Sequence, residues 1–112
     1  MNAIVVLCTV PDTATGGRIA DALVSERLAA CVNRLPGIAS TYRWKGAIQH
    51  DTECLLVIKT TRERFEALRD RIAALHPYEV PEIIALAVEA GAAAYLDWVE
   101  AAMRIDGPGS VV

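Results

Sequence analysis

Residues 31–59 decide the fold, and they read CVNRLPGIASTYRWKGAIQHDTECLLVIK. The first half alternates with a period of two, as is typical of a β-strand, and one face would carry Ile38, Ser40, Tyr42 and Trp44. Lys45-Gly46 offers a turn, and a second extended run follows it. Pro36-Gly37 predicts a bend or bulge in the first strand. The stretch therefore predicts a long antiparallel hairpin.

A strand and a helix are predicted before this hairpin. Residues 3–10 form a continuous apolar run rich in Ile and Val, which is typical of a central strand buried on both faces. Asp12 or Thr13 can cap the helix that follows. Apolar residues recur at helical spacing within that helix, at Ile19, Ala20, Leu23, Val24 and Leu28.

After the hairpin the pattern returns to helical spacing. Thr60 with Glu63 matches a capping box, and the helix should end at His76-Pro77. Residues 82–88 predict a fourth strand. A last helix follows Gly91, with an apolar stripe that includes Tyr95, Leu96, Val99 and Met103.

The predicted order is strand, helix, strand, strand, helix, strand, helix. The first six elements match the split βαβ arrangement, in which two helices cover one face of an antiparallel sheet. We therefore expect an α+β, ferredoxin-like domain over residues 1–105, followed by a flexible tail over residues 106–112. A chain of 112 residues has the usual size of one domain.

The predicted hairpin is too long for its own subunit. Residues 33–44 would extend about 40 Å as a strand, whereas a domain of this size is only about 34 Å across. Its tip carries Tyr42 and Trp44, with Ile48 across the turn, and exposed aromatic faces and strand edges favour pairing with another chain. The alternative is a strand broken at Pro36-Gly37, with the aromatic side chains folded back. We expect the homo-oligomer.

Composition excludes several classes of partner. The net charge is −3 and the basic residues are scattered, which argues against nucleic-acid binding. No apolar run is long enough to span a bilayer, and the N-terminus has no basic region or cleavage signal. We expect a cytoplasmic protein without a membrane partner, whose three cysteines stay reduced.

The loop after the second predicted helix is the best candidate site. Residues 75–82 read LHPYEVPE, so two prolines fix a segment that holds His76, Tyr78, Glu79 and Glu82 close together. Such a loop can form a site for a metal ion or a small ligand. The alternative is that Glu79 and Glu82 hold the loop itself in place.

Cys8 ends the first strand, near the same edge of the sheet. It can be a small core side chain, since free cysteine is often buried. It can also be a soft thiolate ligand, which together with an imidazole would suit copper, and less selectively zinc.

Glu53 and Lys59 share one face of the third strand and are further candidates for a cleft, either across the sheet or across a subunit boundary. The chain has no nucleophile elbow or other strong catalytic motif. We therefore do not expect an enzyme.

Several segments together resemble the CutA divalent-ion tolerance family. These are residues 6–12 (VLCTVPD), 29–33 (AACVN), 36–38 (PGI) with Ser40, Tyr42, Trp44 and Gly46, 58–61 (IKTT), 76–83 (HPYEVPEI) and 95–98 (YLDW). The resemblance runs in order from about Ile4 to Met103. Leu75 stands where some members have a second histidine, and Ala87 where the family often has a proline.

The resemblance implies a non-enzymatic homotrimer of ferredoxin-like subunits, similar in architecture to the PII signalling proteins, with long hairpins paired between subunits at Tyr42, Trp44 and Ile48. It implies a role in tolerance of divalent metal ions and a copper site, Cu(II) before Zn(II), with Cys8 and His76 as ligands. The alternative is a signalling module that binds a small molecule in clefts between subunits. Those clefts would be lined by Glu53, Lys59, Tyr78, Glu79 and Glu82.

Overall fold

A computed structural model describes residues 2–104, so the predicted tail lies outside the described residues. The chain forms a four-stranded antiparallel sheet in the order β2-β3-β1-β4, with three helices. In chain order the elements are β1 (Ala3–Val10), α1 (Thr13–Ser25), β2 (Cys31–Trp44), β3 (Ala47–Thr61), a 3₁₀ turn (Arg62–Arg64), α2 (Phe65–Leu75), β4 (Ile84–Ala87) and α3 (Ala93–Met103). This confirms the predicted α+β class and element order.

The covered face of the sheet packs against α1 and α2. We use this name for the side that carries the alternate residues Ile4, Val6, Cys8 and Val10 of β1 and Cys54, Leu56 and Ile58 of β3, all of them buried. They form one cluster with Ile19 and Leu23 of α1 and Leu68 and Ile72 of α2. Burying these side chains is the main source of the subunit's stability.

The open face is the opposite side of the same sheet. Its apolar residues, defined by the cross-strand register, are Val5, Leu7, Leu35, Leu55, Val57, Ile84 and Leu86. Ile84 and Leu86 remain 50% and 51% exposed. The open-face residues of β1 and β3 are only half-buried; they are Val5, Leu7, Leu55 and Val57. The sheet is therefore apolar on both faces but covered by helices on one.

The hairpin of β2 and β3 projects as predicted. The molecule measures 51 × 28 × 22 Å, and these two strands, of 14 and 15 residues, form its long axis. Lys45 and Gly46 form the tip with positive φ angles of 50° and 81°, the conformation of a two-residue type I′ hairpin turn. Ile48 pairs with Arg43, so it lies on the opposite side of the hairpin from Tyr42 and Trp44.

The predicted bulge is present at Pro36-Gly37. The register shifts between Leu35, which pairs with Leu55, and Ile38, which pairs with Glu53. Gly37 has a φ angle of 72°, which a side chain would strain. The bulge interrupts pairing over two residues without ending the strand.

The capping box predicted at Thr60 and Glu63 was wrong. Thr60 is still in β3, and its hydroxyl donates to the carbonyl oxygen of Leu28 at 2.7 Å inside the protein. The chain passes through a 3₁₀ turn before α2 begins at Phe65. At the first helix the prediction holds, since Asp12 Oδ1 accepts a hydrogen bond from the Thr15 amide at 2.7 Å.

The C-terminal elements are less buried than their patterns predicted. β4 covers only residues 84–87 of the predicted 82–88, and all four residues are exposed. Of the stripe predicted on α3, Val99 and Met103 are buried, while Tyr95 is 44% exposed. Arg64 Nη2 donates to the Met103 carbonyl at 3.0 Å, so α3 is held against the end of the sheet where β3 stops. None of the helices within residues 2–104 has the length and apolar character needed to cross a bilayer.

Candidate functional site

A pocket of about 780 Å³ lies where the hairpin leaves the body of the subunit. The loop after α2 forms one wall, and the inner part of the hairpin forms the other. The residues that line it are Thr9, Ala39, Ser40, Thr41, Tyr42, Trp44, Glu53, Pro77, Tyr78, Glu79, Val80 and Glu82. Its volume is in the range usual for small-molecule sites.

His76 anchors the loop wall to the sheet. Its Nδ1 accepts a hydrogen bond from the Tyr78 amide at 3.1 Å, so the ring proton is on Nε2, which donates to the Thr9 carbonyl oxygen at 2.7 Å. The ring also packs against Tyr78, with 4.7 Å between centroids. His76 therefore fixes the loop on the end of β1, with both ring nitrogens engaged.

Tyr78 connects the loop to the hairpin wall. Its hydroxyl donates to Glu53 Oε2 at 2.6 Å, and Glu53 is 7% exposed. Burial, and secondarily the hydrogen bond to Glu53, raises the pKa of Tyr78, so the hydroxyl keeps its proton at neutral pH. This bond holds the two walls together across the pocket.

Glu79 and Glu82 are exposed and line the pocket. Within the described part of the chain, neither side chain has a hydrogen bond or an ion pair. The alternative that these carboxylates hold the loop in place is therefore not what is observed, since His76 and Tyr78 do so. Both carboxylates are available to a ligand.

The hairpin wall carries the aromatic side chains. Ser40, Tyr42 and Trp44 lie on one face, as the period of two predicted, and the Tyr42 hydroxyl donates to Asp51. That hydrogen bond raises the pKa of Tyr42. Tyr42 and Trp44 were predicted for subunit association only, yet they also line the pocket.

Cys8 lies on the covered face, close to the loop but fully buried. Its Sγ lies 3.8 Å from the Thr9 carbonyl oxygen, the atom that also accepts from His76. Burial, followed by the nearby charges of Glu82 and Glu53, raises the pKa of the Cys8 thiol from 9.0 to about 12. The two predicted copper ligands therefore share a neighbour, and the thiol is protonated at neutral pH.

Few side chains of residues 2–104 could donate to a metal ion at the edge of the sheet near Cys8 and His76. Within residues 2–104, no three His, Cys, Asp or Glu side chains converge so as to hold one ion. Cys8 and His76 supply two, a soft sulfur and an imidazole nitrogen, which suit copper in kind. A complete coordination shell would need donors beyond this pair.

Lys59 does not belong to the pocket. It lies on the same face of β3 as Glu53 but six residues further on, about 20 Å away along the strand, and its ammonium donates to Asn33. The structure thus brings together Glu53, Tyr78, Glu79 and Glu82 of the predicted cleft and separates Lys59 from them.

Sequence reasoning missed Thr9, Thr41 and Asp51. Thr9 was hidden because it contributes through its backbone carbonyl, which the sequence does not signal. Asp51 could have been found, since it pairs with Ser40 across the strands and lies diagonally next to Tyr42.

Known proteins resemble this chain over nearly its whole length. A protein-family model described as CutA1 divalent ion tolerance protein matches residues 4–102. A Thermus thermophilus protein named divalent-cation tolerance protein CutA is 55% identical over 84% of this chain and 91% of its own length. A rice protein named CutA 1, chloroplastic, is 47% identical over 91% of this chain and 58% of its length. The crystal structure of CutA from Xylella fastidiosa, 42% identical, superposes with a TM-score of 0.90 over 93% of this chain and all of that one.

Proposed function

The chain belongs to the CutA1 divalent ion tolerance protein family, and from this premise we propose that it acts as a homotrimer that binds divalent metal ions, copper above all. It acts by binding and not by catalysis. The observation that supports the assembly is the open face, an apolar sheet surface that the helices of residues 2–104 leave uncovered.

The open face supports burial against other copies of the chain. Its centre is Val57, which pairs with Leu7 on one side and Asn33 on the other. Monomeric proteins rarely leave so continuous an apolar surface in water. A second copy brings the same surface, so copies of one chain can cover each other.

The hairpin supports the same assembly. Tyr42, Trp44 and Ile48 are 41%, 39% and 59% exposed on an arm that extends beyond the body of the subunit. Strand β2 is also at the edge of the sheet, with one side of its backbone unpaired. Pairing between subunits would satisfy this edge and bury part of the exposed aromatic surface.

Sedimentation equilibrium tests the assembly. We expect a mass three times the 12.1 kDa of one subunit. Val57→Glu should yield smaller species, because each interface would then bury an unpaired charge. Glu66→Gln, an exposed change on α2, is the control and should leave the mass unchanged. A monomeric wild-type protein at micromolar concentration contradicts the proposal.

Cys8 and His76 remain the proposed copper ligands. Their support is proximity, since Sγ and Nε2 approach the same Thr9 oxygen, and the preference of copper for sulfur and imidazole donors. Binding would displace the thiol proton and the hydrogen bond of His76 to Thr9. Those costs favour a metal that binds thiolate strongly, hence Cu(II) before Zn(II).

Calorimetric titration with Cu(II) and Zn(II) tests these ligands. Cys8→Ala and His76→Gln should each weaken Cu(II) binding, while Cys31→Ala and His50→Ala serve as controls of the same residue types. Circular dichroism establishes that each variant is folded. If both ligand variants bind Cu(II) as the wild type does, the ligand assignment is wrong.

The pocket favours a second candidate function, the binding of a small molecule in a cleft that a neighbouring subunit borders. Four of the five side chains predicted for such a cleft line one cavity of about 780 Å³. A thermal-shift screen of metabolites and ions separates the candidates, since a ligand that binds the native state raises the melting temperature. Stabilisation by a metabolite and not by metal ions would favour this second function.

We also propose a cytoplasmic location. Cys8, Cys31 and Cys54 are all free thiols, which suits a reducing compartment. The rice relative is named chloroplastic, so the location of this chain needs its own measurement. Fractionation of the source cells, with detection of the native protein, provides it.

A further inference from the structure

Within residues 2–104, the charge of Glu53 has no partner of opposite sign. The residue is 93% buried, and its one hydrogen bond within the described chain is donated by the Tyr78 hydroxyl to Oε2. The ion pairs found within residues 2–104 join Arg69 to Asp70 and Arg71 to Glu26, so no cation contacts Glu53. A buried carboxylate without a compensating charge is costly. Its position in the pocket wall makes a bound cation the natural compensation.

The other charged side chains that line the pocket are also negative. Glu79 and Glu82 are its other charged lining residues, and the described part of the chain contributes no Lys, Arg or His to the lining. The negative field acts on neighbouring groups, since Glu53 contributes to the raised pKa of both Tyr78 and Cys8. The pocket therefore disfavours anions such as phosphates and carboxylates.

The spacing of the carboxylates argues against a bare metal ion as the occupant. No three acidic, His or Cys side chains of the described residues approach one point closely enough to bind an ion, whereas Mg²⁺ and Ca²⁺ need several oxygen ligands at 2.0–2.6 Å. A larger cation can span groups that one metal ion cannot. The cavity of about 780 Å³ has room for it.

The aromatic side chains of the pocket suit such a cation. Tyr42, Trp44 and Tyr78 line the same cavity as Glu53. Aromatic faces attract ammonium groups, and Trp44 already has the Lys45 Nζ at 5.8 Å from its ring centroid. We propose that this pocket binds a small organic amine, with its ammonium group on Glu53 and its carbon chain against Tyr42 and Tyr78. This deepens the second candidate function and rests on it, but it uses residues of a single chain.

Three six-carbon compounds that differ in charge test the proposal. Hexamethylenediamine carries two positive charges, hexanediol is neutral, and adipate carries two negative charges. In calorimetry at low salt, the diamine should bind, and the diol and adipate should not. Failure of the diamine to bind, or equal binding of the diol, would overturn the proposal.

Substitutions then locate the site. Glu53→Gln keeps an oxygen for the Tyr78 hydroxyl but removes the charge, and should weaken diamine binding by about tenfold or more, as expected when a charge-assisted hydrogen bond becomes neutral. Glu82→Gln, on the exposed loop, should weaken it less, and Glu66→Gln on α2 should leave it unchanged. Unchanged affinity in Glu53→Gln would overturn the assignment, whatever Glu82→Gln does.

Sedimentation and Cu(II) titration of the same samples separate this inference from the proposed function. A trimer that binds Cu(II) but no diamine refutes the amine site alone. A monomer, or a protein with no affinity for Cu(II), refutes the proposed assembly or metal site and leaves the amine result to be judged by its own titration.

Discussion

Leu55 and Leu56 are neighbours in β3 with the same side chain and opposite surroundings. Leu56 is fully buried against α1 and α2, whereas Leu55 lies half-buried on the open face. The same contrast holds along β1, where Val6 belongs to the core and Val5 does not. The strands are apolar on both sides, yet within the described residues α1 and α2 cover only one.

This contrast teaches that the sequence specifies two packed surfaces. Strands that read as continuous apolar runs are typical of sheets covered on both faces. One surface is completed within the subunit, and the second is left for another molecule.

The largest effect on subunit stability is expected from Leu56→Ala. Removing a fully buried leucine should lower the free energy of unfolding by about 2–5 kcal/mol. Leu55→Ala should cost the isolated subunit less and should instead weaken association. Urea unfolding at several protein concentrations measures both, since only an effect on association changes with concentration. Equal, concentration-independent losses would mean that the two faces do not differ.

Tyr78→Phe should cost about 1.5–3 kcal/mol, the usual value of a hydrogen bond to a charged group. The buried carboxylate of Glu53 would lose its donor. Tyr42→Phe is the matched control, because its partner Asp51 is exposed and its loss should be smaller. Urea unfolding of both variants gives the difference. If Tyr42→Phe costs as much, burial of the acceptor is not what makes the Tyr78 bond strong.

Cys8 should make the protein less stable in alkali. Its pKa is about 12 when folded and 9.0 in its ordinary state, so between these values the unfolded thiol loses its proton and the folded thiol keeps it. Stability should then fall by about 1.4 kcal/mol per pH unit above pH 9. Comparing urea unfolding at pH 8 and 10 with that of Cys8→Ala isolates this contribution. The same slope in both proteins would assign the loss to other groups.

The smallest effect is expected at the outer surface of the helices. Arg71 Nη2 lies 3.0 Å from Glu26 Oε2, but both side chains are partly exposed to water. Arg71→Ala should therefore cost less than about 1 kcal/mol, and less still in high salt. A double-mutant cycle with Glu26→Ala measures the coupling. A coupling above 2 kcal/mol would contradict the expectation that this exposed ion pair is weak.

Most of the fold could be predicted because its signals are local. A period of two, a turn at Lys45-Gly46 and a bulge at Pro36-Gly37 each follow from a few adjacent residues, and all three were confirmed. The capping box failed because the Thr60 hydroxyl found a distant partner, the Leu28 carbonyl. That contact joins residues far apart in the chain, and no local pattern encodes it.

The candidate site was predicted in part for the same reason. One rigid segment holds His76, Tyr78, Glu79 and Glu82, so their proximity could be predicted from the sequence. Which more distant residues join them depends on register and on strand length. Glu53 reaches the loop and Lys59 does not, although both share a face of β3. Whether Cys8 and His76 bind a metal stays a prediction.

The bulge at Pro36-Gly37 adds one residue to β2 that has no partner of its own in β3. Cys31, Asn33 and Leu35 lie on the open face at odd positions, but beyond the bulge that side carries even positions, Ser40, Tyr42 and Trp44. Strand β3 is unbroken opposite the bulge, so the change of parity comes from one extra residue in β2. Removing one residue there would restore regular pairing and leave Tyr42 and Trp44 on the same side, whereas removing two would put β2 out of step with β3. The segment should therefore tolerate the loss of one residue but not of two, which constrains how the arm can change during evolution or redesign.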